Sequence, residues 1–178
     1  MPLPGELAFL HTIQSMALFS PVTLATAFFA ARYLIFVDIL LLIVLVVRNK
    51  KDRHIAAEAL WAGGVAIFLT TIISCFIKRP RPFSLVENGI QHLVPIPFNM
   101  SFPSGHTSVS LAVALILLAY DRRLGAIAFI VFILVAFGRM AVGVHYPTDI
   151  LGGVVVGGLA YLLVKKMHRE MWTRRIPV

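Results

Sequence analysis

Arg139-Met140-Ala141-Val142-Gly143-Val144-His145-Tyr146-Pro147-Thr148-Asp149 closes a long apolar run and sets three strongly polar side chains where the hydrocarbon ends. His145 and Asp149 are four residues apart. On a helix that spacing puts both on one face, near enough for the carboxylate to hold an imidazole N–H. A histidine held in one tautomer offers its other nitrogen as a nucleophile or base. Arg139, six residues earlier, brings a planar guanidinium suited to phosphate or carboxylate. The competing reading is structural: three anchors where a membrane helix meets water. The rest of the chain decides between them.

Of 178 residues, 59% are hydrophobic and 13% are charged. A soluble domain is about half apolar and about a quarter charged. The chain is therefore read as one all-α integral membrane bundle over residues 1–178, with most of its length in bilayer spans. Five spans are expected, near 27–47, 55–77, 104–120, 124–144 and 148–165. Residues 1–20 mix Glu6, His11 and Gln14 with Leu, Phe and Met, and read as an amphipathic helix lying at the interface. The first cation is Arg32, so no cleaved signal peptide is expected. Asp38, in mid-span, calls for a protein-facing contact, with Arg32 a candidate partner. Cys75 stands alone in an apolar run and reads as packing. Gly152, Gly153, Gly157 and Gly158 would admit a close helix, either within the chain or across a homodimer contact.

The formal net charge is +8. Basic residues crowd the 48–54 loop, the Asp121-Arg122-Arg123 turn and the tail with Lys165, Lys166, Arg169, Arg174 and Arg175. With five spans these lie on one side, and the positive-inside rule makes it the cytoplasm of a plasma membrane. Such charge marks loops and anionic headgroups, and no basic segment interleaved with aromatics suggests nucleic acid. The proline-rich loop 78–103 and the 145–149 junction then share the outer face, toward the periplasm or exterior. Lys78, Arg79 and Arg81 break the charge pattern there, and binding an anion explains them most simply.

Three polar clusters meet on that face: Lys78/Arg79/Arg81, Ser104-Gly105-His106 and Arg139/His145/Asp149. The second opens a helix, where unpaired amides and the positive dipole end attract anions. Gly105 lets the backbone come close, Ser104 adds a hydroxyl donor, and His106 can deliver a proton. Guanidinium groups, helix-end amides and two histidines in different roles describe phosphoryl transfer. The sequence has no HExxH, no cysteine pair and no carboxylate cluster; Asp149 and distant Glu87 are too few for a two-metal site. Neither metal nor cofactor is expected.

These residues resemble the type 2 phosphatidic acid phosphatases. That family's pattern is Lys-x6-Arg-Pro, Pro-Ser-Gly-His and Ser-Arg-x5-His-x3-Asp. Arg81-Pro82 matches the end of the first part, Pro103-Ser104-Gly105-His106 the whole second, and Arg139, His145 and Asp149 the third at the right spacing. The motifs cover residues 74–149. Two positions depart: Ser74 stands where the family has lysine, and Gly138 where it has serine. Lys78 or Arg79 is expected to supply the missing charge, and one phosphate donor is expected to be lost at Gly138.

The resemblance implies that His145 attacks phosphorus to form a phosphohistidine, with Asp149 orienting its ring. It implies that His106 protonates the leaving oxygen and then activates water, while Arg81, Arg139, Ser104 and the Gly105 amide hold phosphate oxygens. Pro80-Arg81-Pro82-Phe83 looks like the branch that cleaves undecaprenyl pyrophosphate. Lipid A 1-phosphate and phosphatidylglycerol phosphate are the runners-up. From another class, a non-catalytic phospholipid-binding or transport protein would need neither histidine.

Overall fold

The computed structural model describes residues 2–3, 5–85, 89–95 and 100–173, so Glu87, Arg174 and Arg175 lie outside the described residues. Among the described residues seven α-helices follow one another: α1 Glu6–Leu18, α2 Pro21–Arg32, α3 Ile35–Arg48, α4 Arg53–Phe76, α5 Gly105–Tyr120, α6 Arg122–Ala141 and α7 Pro147–Thr173. Single 3-10 turns sit at Lys50–Asp52 and Pro82–Ser84, and no strand occurs among the described residues. The expected all-helical membrane bundle is what forms.

Among the described residues three helices, α4, α6 and α7, are long and apolar enough to cross a bilayer. α1 and α2 pass the same test only as a pair bent by 117°. The helix expected at residues 1–20 is thus α1, but it is sharply folded against α2. The span expected near 27–47 is divided, because α2 ends at Arg32 and α3 begins at Ile35. A helix end leaves carbonyls unpaired. Here Arg139 Nη1 donates to the Ala31 carbonyl at 3.1 Å, stabilising the break. At its start, α2 carries Pro21 at the first position and a reciprocal Ser20/Thr23 capping box.

α5 has 16 residues, about 24 Å at 1.5 Å per residue, against a hydrocarbon core of about 30 Å. It can be short because protein surrounds it. α4, α6 and α7 pack around it, and Leu111, Ala112, Val113, Ala114, Ile116 and Leu117 are buried. Its buried hydroxyls are paired: Thr70 Oγ1 donates to Ser108 Oγ at 3.3 Å, and Ser110 Oγ to Asp38 Oδ2 at 2.7 Å. Asp38 is the protein-facing contact expected, but Ser110 is the partner found. Arg32 is exposed, its guanidinium 5.8 Å from the Tyr33 ring centroid. Outward, Trp61, Phe68 and Phe76 are exposed on α4, a surface suited to lipid and not to water.

The α7 glycines set the distance to α5. A Cβ on Gly153 would lie 2.8 Å from the Ser104 carbonyl oxygen, and one on Gly157 2.6 Å from that of Ser108. Gly152 meets the Phe102 ring in the same way. The stripe is therefore consumed inside the chain, leaving Gly158 with open space.

At one end of the bundle, Arg48 pairs with Asp121 at 3.5 Å and Lys165 lies 3.6 Å from Glu58. At the other end lie the C-termini of α4 and α6 and the N-termini of α5 and α7. The two loops expected to share a face do share it. Overpacking a close helix contact costs about 1–3 kcal/mol, so Gly153→Val should lower the melting temperature in detergent markedly. Gly158→Ala should leave it nearly unchanged.

Candidate active site

The connection Val142–Tyr146 carries the site out of α6 and into α7. Gly143 turns it with φ +77, and a Cβ there would meet the Gln91 carbonyl oxygen at 2.2 Å. Pro147 then starts α7, where a missing N–H costs nothing. Asp149 sits in the first turn of α7. Its Oδ2 accepts the Tyr146 amide at 2.8 Å, capping the helix it belongs to. His145 precedes the helix, so its meeting with Asp149 comes through this turn and not along a helical face.

His145 is 2% exposed. Its Nδ1 lies 2.8 Å from the Ser101 carbonyl oxygen and 3.6 Å from Asp149 Oδ2. A carbonyl can only accept, so Nδ1 carries the hydrogen and Nε2 keeps its lone pair. Ser101 also donates its hydroxyl to Asp149 Oδ2. One serine thus orients both the imidazole and the carboxylate behind it. Arg81 Nη1 approaches Nε2 at 3.4 Å. Burial, with the Arg139 and Arg81 charges adding to it and Asp149 opposing it, pulls the His145 pKa down to about 4. The ring is neutral at physiological pH.

Arg81 is buried, held by the carbonyls of Val144 at 2.7 Å and Met100 at 3.1 Å. Burial lowers its pKa to about 10 against the pull of Asp149, so it stays charged. Arg139 donates from Nη1 to Ala31, while its Nε is buried with no hydrogen-bond partner. A buried donor left open suits an incoming anion. His106 lies in the first turn of α5, within electrostatic reach of Arg139, His145 and Arg81. Ser104 precedes it, its amide bonded to the Asp149 carbonyl at 3.0 Å and its hydroxyl accepting from Thr107 at 2.9 Å. The first amides of α5, from Gly105 onward, lack intrahelical acceptors.

Arg79, expected among the phosphate ligands, is directed elsewhere. Its Nη1 donates to Asp149 Oδ1 and Thr148 Oγ1, each at 2.6 Å, and its Nη2 to Glu6 Oε2 at 2.7 Å. The guanidinium stacks 4.1 Å from the Tyr146 ring centroid. Lys78 is exposed. Both departures from the family pattern have packing reasons. Ser74 is buried and donates to the Phe102 carbonyl at 2.9 Å, pinning the strand of loop ahead of Ser104. A Cβ on Gly138 would lie 2.7 Å from the Ala31 nitrogen, so α2 excludes a serine there.

Sequence reasoning missed Ser101, Glu6 and Thr148. A serine in a loop gives no periodic signal. Glu6 did carry one: an acid in an apolar segment beside a bilayer needs a partner.

Fold and site define a helical membrane protein in which buried arginine and histidine side chains converge at one end of the bundle. Residues 55–172 match the PAP2 superfamily, and the chain belongs to it. Undecaprenyl-diphosphatase BcrC of Bacillus subtilis is 35% identical over 118 residues, 66% of this chain and 60% of that protein. Bacitracin transport permease protein BcrC of Bacillus licheniformis is 28% identical over 138 residues, 77% of this chain and 68% of that protein. Among solved structures, LpxE of Aquifex aeolicus superposes with a TM-score of 0.71 at 25% identity, covering 90% of this chain and 94% of that one.

The folded pKa of His145 lies below the unfolded value, so its contribution to stability is whole above pH 6.5 and is lost as pH falls toward 4. The loss amounts to about 3 kcal/mol at most. Unfolding in detergent across this range should show the slope in the wild type and a shallower one in His145→Asn.

Proposed function

We propose that the chain is a membrane phosphatase that hydrolyses a lipid phosphate or pyrophosphate through a phosphohistidine on His145. The observation that carries this reading is the fixed tautomer: Nδ1–H on the Ser101 carbonyl leaves the Nε2 lone pair facing Arg81. In the first step Nε2 attacks phosphorus, a P–N bond forms and the P–O bond to the leaving group breaks. His106 gives that oxygen a proton. The cationic Nδ1–H ring is then stabilised by Asp149. In the second step His106 takes a proton from water, the resulting hydroxide attacks phosphorus, and the P–N bond breaks to free phosphate. Arg81, Arg139, Ser104 and the Gly105 amide hold the phosphoryl oxygens, where charge develops. Lys78, exposed next to Arg79 in the chain, meets the incoming headgroup. Arg79 acts from behind Asp149.

Undecaprenyl pyrophosphate is the substrate of first choice, supported by Pro80-Arg81-Pro82-Phe83 and by the name of the Bacillus subtilis relative. Lipid A 1-phosphate and phosphatidylglycerol phosphate stand behind it, since the site's polar groups address phosphate alone. The site faces the periplasm or exterior of a plasma membrane, with the basic loops inside. The transport name of the Bacillus licheniformis relative favours a second reading, a lipid carrier without chemistry. A carrier needs no fixed nucleophile.

Phosphate release from a panel of these lipids should be blocked by vanadate and untouched by EDTA. His145→Ala should abolish it, and His106→Ala should lower kcat about 10²–10⁴-fold. Full activity in His145→Ala would refute the assignment. In intact cells, a Lys78→Cys, Cys75→Ser variant should react with a membrane-impermeant maleimide; protection until lysis would reverse the orientation.

A further inference from the structure

α1 is more than an anchor. Its buried face carries Glu6, Leu10, Ile13, Gln14 and Ala17. Leu10 packs with Ile90 and Tyr146. Gln14 exchanges two hydrogen bonds with the Gln91 backbone, at 2.8 and 3.0 Å. At its first residue, Glu6 is 6% exposed. Its Oε1 accepts the Thr148 amide at 3.0 Å and also the Thr148 hydroxyl. Its Oε2 accepts from Arg79 Nη2 at 2.7 Å and the Leu3 amide at 2.8 Å. The same guanidinium grips Asp149 Oδ1.

We propose that Glu6 is a positioning residue for the reaction, acting through Arg79 to set the place and charge of Asp149 behind His145. This rests on the phosphohistidine reading above. One cation stands between two buried carboxylates. Without Glu6, the full Arg79 charge falls on Asp149 and weakens its hold on the cationic imidazole that forms after attack. Glu6 also caps α7 from another helix, fixing the turn that bears Asp149. The effect belongs to the chemical step, so kcat should change and KM should not.

Phosphate release from the best lipid of the panel, with a detergent melt of each variant, tests this. Glu6→Gln should lower kcat about tenfold with KM within about twofold, as for other groups that orient a reacting residue. In an Arg79→Gln background, Glu6→Gln should cost nothing further, because its intermediary is gone and the glutamine oxygen still accepts from Thr148. Gln14→Ala loosens α1 without touching Arg79 and should keep kcat within about threefold. Glu6→Asp retains the charge and should recover most of the lost rate, and it stands in if Glu6→Gln melts below the assay temperature. Multiplying losses in the double variant, a KM effect alone, equal losses in Gln14→Ala, or Glu6→Asp no better than Glu6→Gln would each overturn the inference. A wild-type chain that cleaves no lipid phosphate overturns the phosphatase reading and this inference together. An active one indifferent to Glu6 overturns this inference alone.

Discussion

A carboxylate without access to water must be matched by cations and donors, or it will not stay ionised. Asp149 is fully buried. Arg79, the Ser101 hydroxyl, the Tyr146 amide and the His145 ring surround it. They come from three separate stretches of chain: the loop after α4, the approach to α5 and the connection into α7, which supplies both the His145 ring and the Tyr146 amide. Satisfying this one charge therefore draws the loops at this end of the bundle together. The histidine beside it inherits its tautomer from the same arrangement.

That convergence depends on how closely α5 and α7 approach. Asp149 begins α7, and Ser104 begins α5 just beside it, with the Ser104 amide donating to the Asp149 carbonyl. The contact is available because Gly153 and Gly157 present no side chain to the α5 backbone. Packing that looks remote from the chemistry thus sets the distance between the two motif-bearing helix starts. α2 acts similarly from the other flank, where Gly138 lets it come close and Arg139 closes its last turn. Arg139 therefore serves packing through Nη1 while its Nε stays without a hydrogen-bond partner.

α1 gives the site a second cover. Leu10, Gln14 and Glu6 reach in turn the 89–94 segment and the start of α7. Residues 1–20 read as an interfacial helix because Glu6, His11 and Gln14 make the segment too polar to span easily. Glu6 and Gln14 each have partners far along the chain, which local reasoning has no means to pair.

The sequence by itself determined that the chain is a helical membrane bundle, because hydrocarbon admits little else from so apolar a composition. It also placed Arg81, Ser104, His106, Arg139, His145 and Asp149 on one face, since alternating spans force their ends to alternate sides. Spacing could suggest that Asp149 steadies His145, but it could not supply Ser101, whose carbonyl makes the shorter contact. Neither could it say which arginine approaches His145. Arg79 and Arg81 flank Pro80 and look equivalent in sequence. Only the tertiary structure turned one toward His145 and the other toward Glu6 and Asp149. The reason is that a guanidinium's direction follows from where its buried countercharges lie, and those are fixed by helices 70 and more residues away.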